Sequence, residues 1–133
     1  MLLFQYSKEV ATASLIQKEL ILEQEGKRRF KRVDLHAPVR FQVRGTPDFD
    51  NTISDNISEG GVAFNAFKFI PPQTPVMLEV NLLSKILHPI GRVSWCQPLP
   101  HSERSRLGIE FTEFDSLERN FLRDYVSMQS DQL

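Results

Sequence analysis

The sequence has a single cysteine, Cys96, and this scarcity excludes two kinds of site. No disulfide framework within the chain and no cluster of thiolate ligands can form, so we expect a reducing, cytoplasmic environment with Cys96 as a buried core thiol. No run of about 18 apolar residues occurs, and the first residues lack the basic and apolar segments of a signal peptide. We therefore expect neither membrane insertion nor export.

The sequence also has little net charge. Its formal charge is −1 over 133 residues, of which 41% are apolar, and this fits one globular domain with little left for a second. Basic residues are nevertheless concentrated, because residues 27–44 hold seven Lys or Arg against the single acid Asp34. Such a local field favours a small anionic ligand over a long nucleic acid.

The spacing of apolar residues changes once along the chain. From Ser7 to about Glu25 they recur at helical spacing, with no proline or glycine before Gly26, which predicts an amphipathic helix. After the basic stretch, short alternating runs separated by turn formers predict strands. The six runs have approximate bounds Pro38–Arg44, Asn51–Ile57, Val62–Phe67, Pro75–Leu83, Ile86–Cys96 and Arg106–Glu113.

Six short sequential strands suggest a small antiparallel barrel. Alternation predicts that each of the following groups shares a side: Val76, Leu78, Val80 and Leu82; Val93 and Trp95; Leu107, Ile109 and Phe111. A final helix should begin at Asp115, with Glu118 in its first turn, and pack on the barrel. Its apolar stripe is Leu117, Phe121, Tyr125 and Met128. The expected organisation is a helical extension over residues 1–26, a barrel domain with its C-terminal helix over 27–128, and a tail over 129–133.

The basic stretch contains two arginines four positions apart, Arg28 and Arg32. This spacing directs both side chains to one side in a helix or a strand. Each guanidinium can fork onto phosphate oxygens or guanine acceptors, and can stack on a purine. Lys27 and Arg29 would be secondary contacts. Alternatively, these residues are solvated cations beyond a helix C-terminus, where they offset the helix dipole by about 0.3–1 kcal/mol.

A second polar motif contains Asn56, Ser58, Gly60 and Gly61. The Asn amide and Ser hydroxyl suit a base edge, a ribose or a phosphate oxygen, and the glycines allow the backbone to approach a ligand closely. The alternative is an ordinary β-turn, in which these residue types are common for conformational reasons. Strand alternation places Ser54, Asn56 and Ser58 on an outward face, and Ile53 and Ile57 in the core.

Together, Arg28-x-x-x-Arg32 and Asn56-x-Ser58-x-x-Gly61 resemble the signature of the bacterial PilZ domain. The segments 62–64, 91–95 and 107–111 are also similar to that family, so the resemblance covers about residues 27–126. It implies a mainly β fold, a six-stranded antiparallel PilZ-type β-barrel with a C-terminal helix. The N-terminal helix would be an addition to this fold.

The resemblance also implies a receptor for the second messenger cyclic di-GMP. Arg28 and Arg32 would clasp the guanines and phosphates, while Asn56, Ser58 and Gly61 would line the outer barrel surface, with Gly60 in a secondary role. The signal would pass to an unidentified effector protein through a ligand-induced rearrangement. The N-terminal helix could also mediate a homodimer.

Other functions find less support in the sequence. His36, His88 and His101 lack metal-ligand spacing, and no nucleophile, Walker or dinucleotide motif occurs, so we expect a non-enzyme with no cofactor and no metal. An adaptor that binds a protein partner without nucleotide is the main alternative. A barrel that stacks single-stranded nucleic acid on Phe41, Phe49 and Phe64 is a third, although near-neutral charge argues against long nucleic acid as a partner.

Overall fold

The computed structural model describes residues 30–131. The predicted helix over residues 7–25 and the basic residues Lys27, Arg28 and Arg29 lie outside this range. Within it, the chain forms eight strands and one helix. Their bounds are β1 Arg32–Asp34, β2 Pro38–Val43, β3 Asp50–Ser58, β4 Gly61–Ala66, β5 Pro75–Asn81, β6 Ile86–Leu87, β7 Ile90–Pro98, β8 Ser105–Glu113 and α1 Ser116–Asp131.

Six of these strands close into an antiparallel barrel, which confirms the predicted fold. They follow the order β3-β2-β5-β7-β8-β4, and β4 pairs again with β3. Two short strands were not predicted as separate elements: β1 pairs with the end of β3, and β6 pairs with β5. The predicted run Ile86–Cys96 is divided at His88 and Pro89, because proline has no N–H to donate to a strand ladder.

The barrel interior is filled by aliphatic side chains and two aromatic rings that contact each other at a tilt. The predicted row of Val76, Leu78, Val80 and Leu82 is buried. Phe41 and Phe64 are also fully buried, with ring centroids 4.9 Å apart. Their rings belong to the core, which argues against the alternative in which they stack bases.

A bulge in β3 changes which side chains enter the core. Ser54 pairs with Phe64 and Asn56 with Ala63, so Asp55 is an extra residue and the alternation reverses there. Ser54 is fully buried, whereas Ile53 is 58% exposed. The predictions of an outward Ser54 and a core Ile53 are therefore wrong, while the prediction for Ile57 is confirmed.

A second bulge, in β7, has the same effect. Val93 pairs with Ile109 and Trp95 with Gly108, which leaves Ser94 as the extra residue. Val93 is buried, but Trp95 faces a cleft on the outer surface, so the two do not share a side as predicted. Cys96 packs against the core while remaining partly exposed, which corrects the expectation of a buried thiol.

The helix begins where the sequence predicts. One carboxylate oxygen of Asp115 accepts hydrogen bonds from the backbone N–H groups of Leu117 and Glu118, each at 3.1 Å. The face that packs on the barrel is centred on Leu122 and Val126, whereas Leu117 is 72% and Met128 65% exposed. The predicted stripe therefore lies at the edge of the contact. In the region described, no helix is long and apolar enough to cross a membrane.

Candidate functional site

A cleft of about 600 Å³ lies where β1, the β3–β4 turn, β7, β8 and the first turn of α1 meet. This volume falls within the range of small-molecule sites. Aromatic rings, two arginines and polar turn atoms form its walls. The lining residues are Phe30, Arg32, Ser58, Glu59, Gly60, Ser94, Trp95, Ile109, Glu110, Phe111, Thr112, Phe114 and Arg119.

Strand pairing brings the two sequence motifs together at this cleft. Arg32 lies opposite Ser58, and Asp34 lies opposite Asn56, in the antiparallel β1–β3 ladder. One terminal nitrogen of the Arg32 guanidinium donates a hydrogen bond to the side-chain oxygen of Asn56, a residue 24 positions away. The amide thus orients a cationic fork at the edge of the cleft.

Ser58 helps to shape the turn that forms the cleft floor. Its hydroxyl accepts a hydrogen bond from the backbone N–H of Gly60 at 3.1 Å, and the Gly60 carbonyl accepts one from the N–H of Phe111 at 2.9 Å. The Ser58 side chain borders the cleft but is almost fully buried, so it is less outward than alternation predicted. These hydrogen bonds fix the turn to β8.

The two glycines of the second motif have different neighbours. A methyl group on Gly60 would lie 2.6 Å from the Phe30 ring, which rests directly on this residue in the cleft. A methyl group on Gly61 would lie 2.2 Å from the backbone oxygen of Ile109 in β8. Gly61 is buried and does not line the cleft, and its missing side chain lets β4 approach β8.

Ten of the thirteen lining residues were not assigned to the site from the sequence, and they include Phe30, Glu59, Trp95 and Arg119. The Trp95 indole lies across Gly108, where a methyl group would be 2.2 Å from its ring nitrogen. The Arg119 guanidinium contacts Glu59 at 2.9 Å and lies 5.5 Å from the centre of the Phe30 ring. Phe30 lies between the two arginines of the first motif, and Glu59 lies inside the second motif, so their positions in the sequence pointed to the site. Arg119 lies on the distant helix, and no motif in the sequence pointed to it.

This arrangement suits a flat, anionic ligand. Aromatic rings offer stacking surfaces, and the guanidinium groups offer forks for phosphate or for base edges. No group of three or more His, Cys, Asp or Glu side chains able to hold a metal ion occurs in residues 30–131.

A scan against protein-family models matches the PilZ domain over residues 26–127. The chain belongs to the PilZ domain family. PilZ domain proteins are receptors for cyclic di-GMP rather than enzymes, and they bind it as a signal rather than as a cofactor. The family assignment thus confirms the prediction of a non-enzyme. A search of curated proteins found no similar sequence.

Solved structures include several neighbours of this PilZ domain. MotI/DgrA, an inhibitor of motility from Bacillus subtilis, is 21% identical with a TM-score of 0.70, and the match covers 79% of this chain and 52% of that one. The PilZ domain of Escherichia coli YcgR, solved with cyclic di-GMP, is 13% identical with a TM-score of 0.62, covering 79% and 92%. The complex of Klebsiella MrkH with cyclic di-GMP is 16% identical with a TM-score of 0.57, covering 79% and 52%. These likenesses show the fold, and the chain spans about half the length of MotI/DgrA.

Proposed function

We propose that this PilZ domain binds cyclic di-GMP in the cleft and passes the signal to an effector protein. The observation that carries the proposal is the hydrogen bond from Arg32 to Asn56, because it joins the two family motifs at the cleft edge. The YcgR and MrkH structures that contain cyclic di-GMP share the fold, which supports the same ligand class for this chain.

The proposed roles follow from the chemistry of each group. The Arg32 guanidinium takes a phosphate or the acceptor edge of a guanine, and Asn56 holds it in position. The backbone around Gly60 allows close approach, and Ser58 fixes that turn. Trp95 and Phe30 provide flat surfaces on which a guanine can stack.

The residues before Phe30 complete the proposed site. Arg28 supplies the second arginine of the first motif, and Lys27 and Arg29 add secondary cationic contacts. The proposed organisation keeps residues 1–26 as an extension, 27–128 as the PilZ domain and 129–133 as a tail. In this scheme, ligand binding causes a rearrangement that an effector protein or a second copy of the chain then detects.

Isothermal titration with cyclic di-GMP tests the proposal. We expect the wild type to bind with micromolar or tighter affinity, Arg32→Ala to weaken binding by at least about tenfold, and Arg28→Ala/Arg32→Ala to abolish measurable heat, because a charge-assisted hydrogen bond is worth about 1.5–3 kcal/mol. Arg40→Ala is the matched control, since Arg40 is an exposed arginine paired with Glu79 outside the cleft. If Arg40→Ala weakened ligand binding as much as Arg32→Ala does, the loss would reflect the overall charge of the protein and not a contact in the cleft.

A protein adaptor without nucleotide is the second candidate. A separate surface depression includes Ile53 and Phe67, which are 58% and 67% exposed, and shares no residue with the cleft. The likeness to MotI/DgrA, an inhibitor of motility, fits this role as well. Two results together would favour the adaptor. The wild type would bind a protein partner but no cyclic di-GMP, and the Phe67→Ser variant would no longer bind that partner.

A further inference from the structure

The ion pair between Arg119 and Glu59 is the feature of the cleft that the family motifs do not explain. Glu59 belongs to the turn inside the second motif, and Arg119 lies in the first turn of α1, 60 positions later. The Arg119 Nε donates to a Glu59 carboxylate oxygen at 2.9 Å, and both side chains line the cleft. The pair therefore joins the helix to the proposed ligand site.

The two partners differ in exposure. The Glu59 side chain is only 13% exposed, whereas that of Arg119 is 46% exposed. A carboxylate beside a phosphate site repels the ligand, and Arg119 offsets this negative charge in the structure. The Arg119 guanidinium also lies over the Phe30 ring, so it sits between the turn and the segment that follows Arg28.

We propose that Arg119 is a third arginine for the phosphates of the ligand, and that Glu59 competes with the ligand for it. When the anionic ligand enters, the guanidinium turns from the carboxylate to a phosphate oxygen. Glu59 thus lowers the affinity, and the exchange connects occupancy of the cleft to the first turn of α1. This inference rests on the proposed function, because it names a further residue and a competitor in the same site.

The competition predicts opposite effects for the two partners. Glu59→Gln removes the negative charge with little change of shape, so cyclic di-GMP should bind at least about threefold more tightly. Arg119→Ala removes a charge-assisted contact and leaves Glu59 uncompensated, so binding should weaken by about tenfold or more. In Arg119→Ala/Glu59→Gln the carboxylate is also gone, and affinity should return toward that of the wild type. A purely architectural ion pair would instead give losses in both single variants.

Isothermal titration of these variants with cyclic di-GMP is the test, with thermal melting to verify folding. Arg123→Ala is the matched control, because Arg123 lies one turn further along α1, is exposed and does not line the cleft; its affinity should stay within about twofold of wild type. The gain in Glu59→Gln should shrink at high salt. If the wild type binds and Glu59→Gln binds no more tightly, the competition is refuted while the proposed function stands.

A second probe keeps the two proposals separable. If the wild type does not bind cyclic di-GMP, the proposed function fails, and pyrophosphate then tests the cleft as an anion site. The competition requires pyrophosphate to raise the melting temperature of Glu59→Gln more than that of the wild type. Equal shifts in the two proteins would overturn it.

Discussion

Replacing Gly61 by alanine should destabilise the barrel far more than the same change at Gly60. At Gly61 the new methyl carbon would lie 2.2 Å from the Ile109 carbonyl oxygen, whereas real Cβ atoms essentially never come closer than 3.0 Å. The obstacle is backbone, held in a ladder that pairs β4 with β8 from Gly61↔Glu110 to Ala66↔Ser105. Relief requires the two strands to separate by most of an ångström.

Overpacking of this kind costs about 1–3 kcal/mol, and a rigid backbone obstacle favours the upper part of that range. For a domain of this size we expect the melting temperature to fall by about 10–20 °C. At Gly60 the methyl group meets the Phe30 ring at 2.6 Å, and a side chain can rotate away. Neither glycine has the positive φ that would add backbone strain. The difference in stability between Gly60→Ala and Gly61→Ala therefore reports the steric clash of the added methyl group.

Thermal unfolding of Gly60→Ala and Gly61→Ala, followed by circular dichroism, measures the difference. A Gly61→Ala variant that melts within about 2 °C of wild type would refute the reasoning, because it would mean that the strands separate at almost no cost. A larger loss in Gly60→Ala than in Gly61→Ala would contradict it as well.

Three further predictions follow from the packing. Ser54→Ala should cost about 1–3 kcal/mol in chemical unfolding, since the buried hydroxyl bonds the backbone of Leu35 and Ala37. Gly108→Ala should displace the Trp95 ring, detectable as a red shift in the emission of the only tryptophan, and an unchanged spectrum would argue against that contact. Leu122→Ala should cost about 2–5 kcal/mol, whereas exposed Leu117→Ala should cost less than about 0.5 kcal/mol, and similar values would disprove the assigned helix face.

The candidate site was only partly readable from the sequence. The two motifs could be located because their residue types and spacings are local. The two motifs meet through the hydrogen bond from Arg32 to Asn56, and this contact depends on the register of β1 against β3. Trp95 was expected on the side of Val93, and only the extra residue Ser94 turns it into the cleft. Arg119 reaches Glu59 across 60 positions, and no local pattern encodes such a contact.

The sequence by itself determined the number of barrel strands, the helix start at Asp115 and the identity of the two motifs. Alternation, turn formers and capping residues act over a few positions, so they can be read along the chain. The tertiary structure decided which side chains beside each bulge face the core and which stripe of α1 packs on the barrel. It also decided which charged side chains line the cleft together. Those outcomes depend on pairing between distant segments, where the closure of the barrel overrides local alternation.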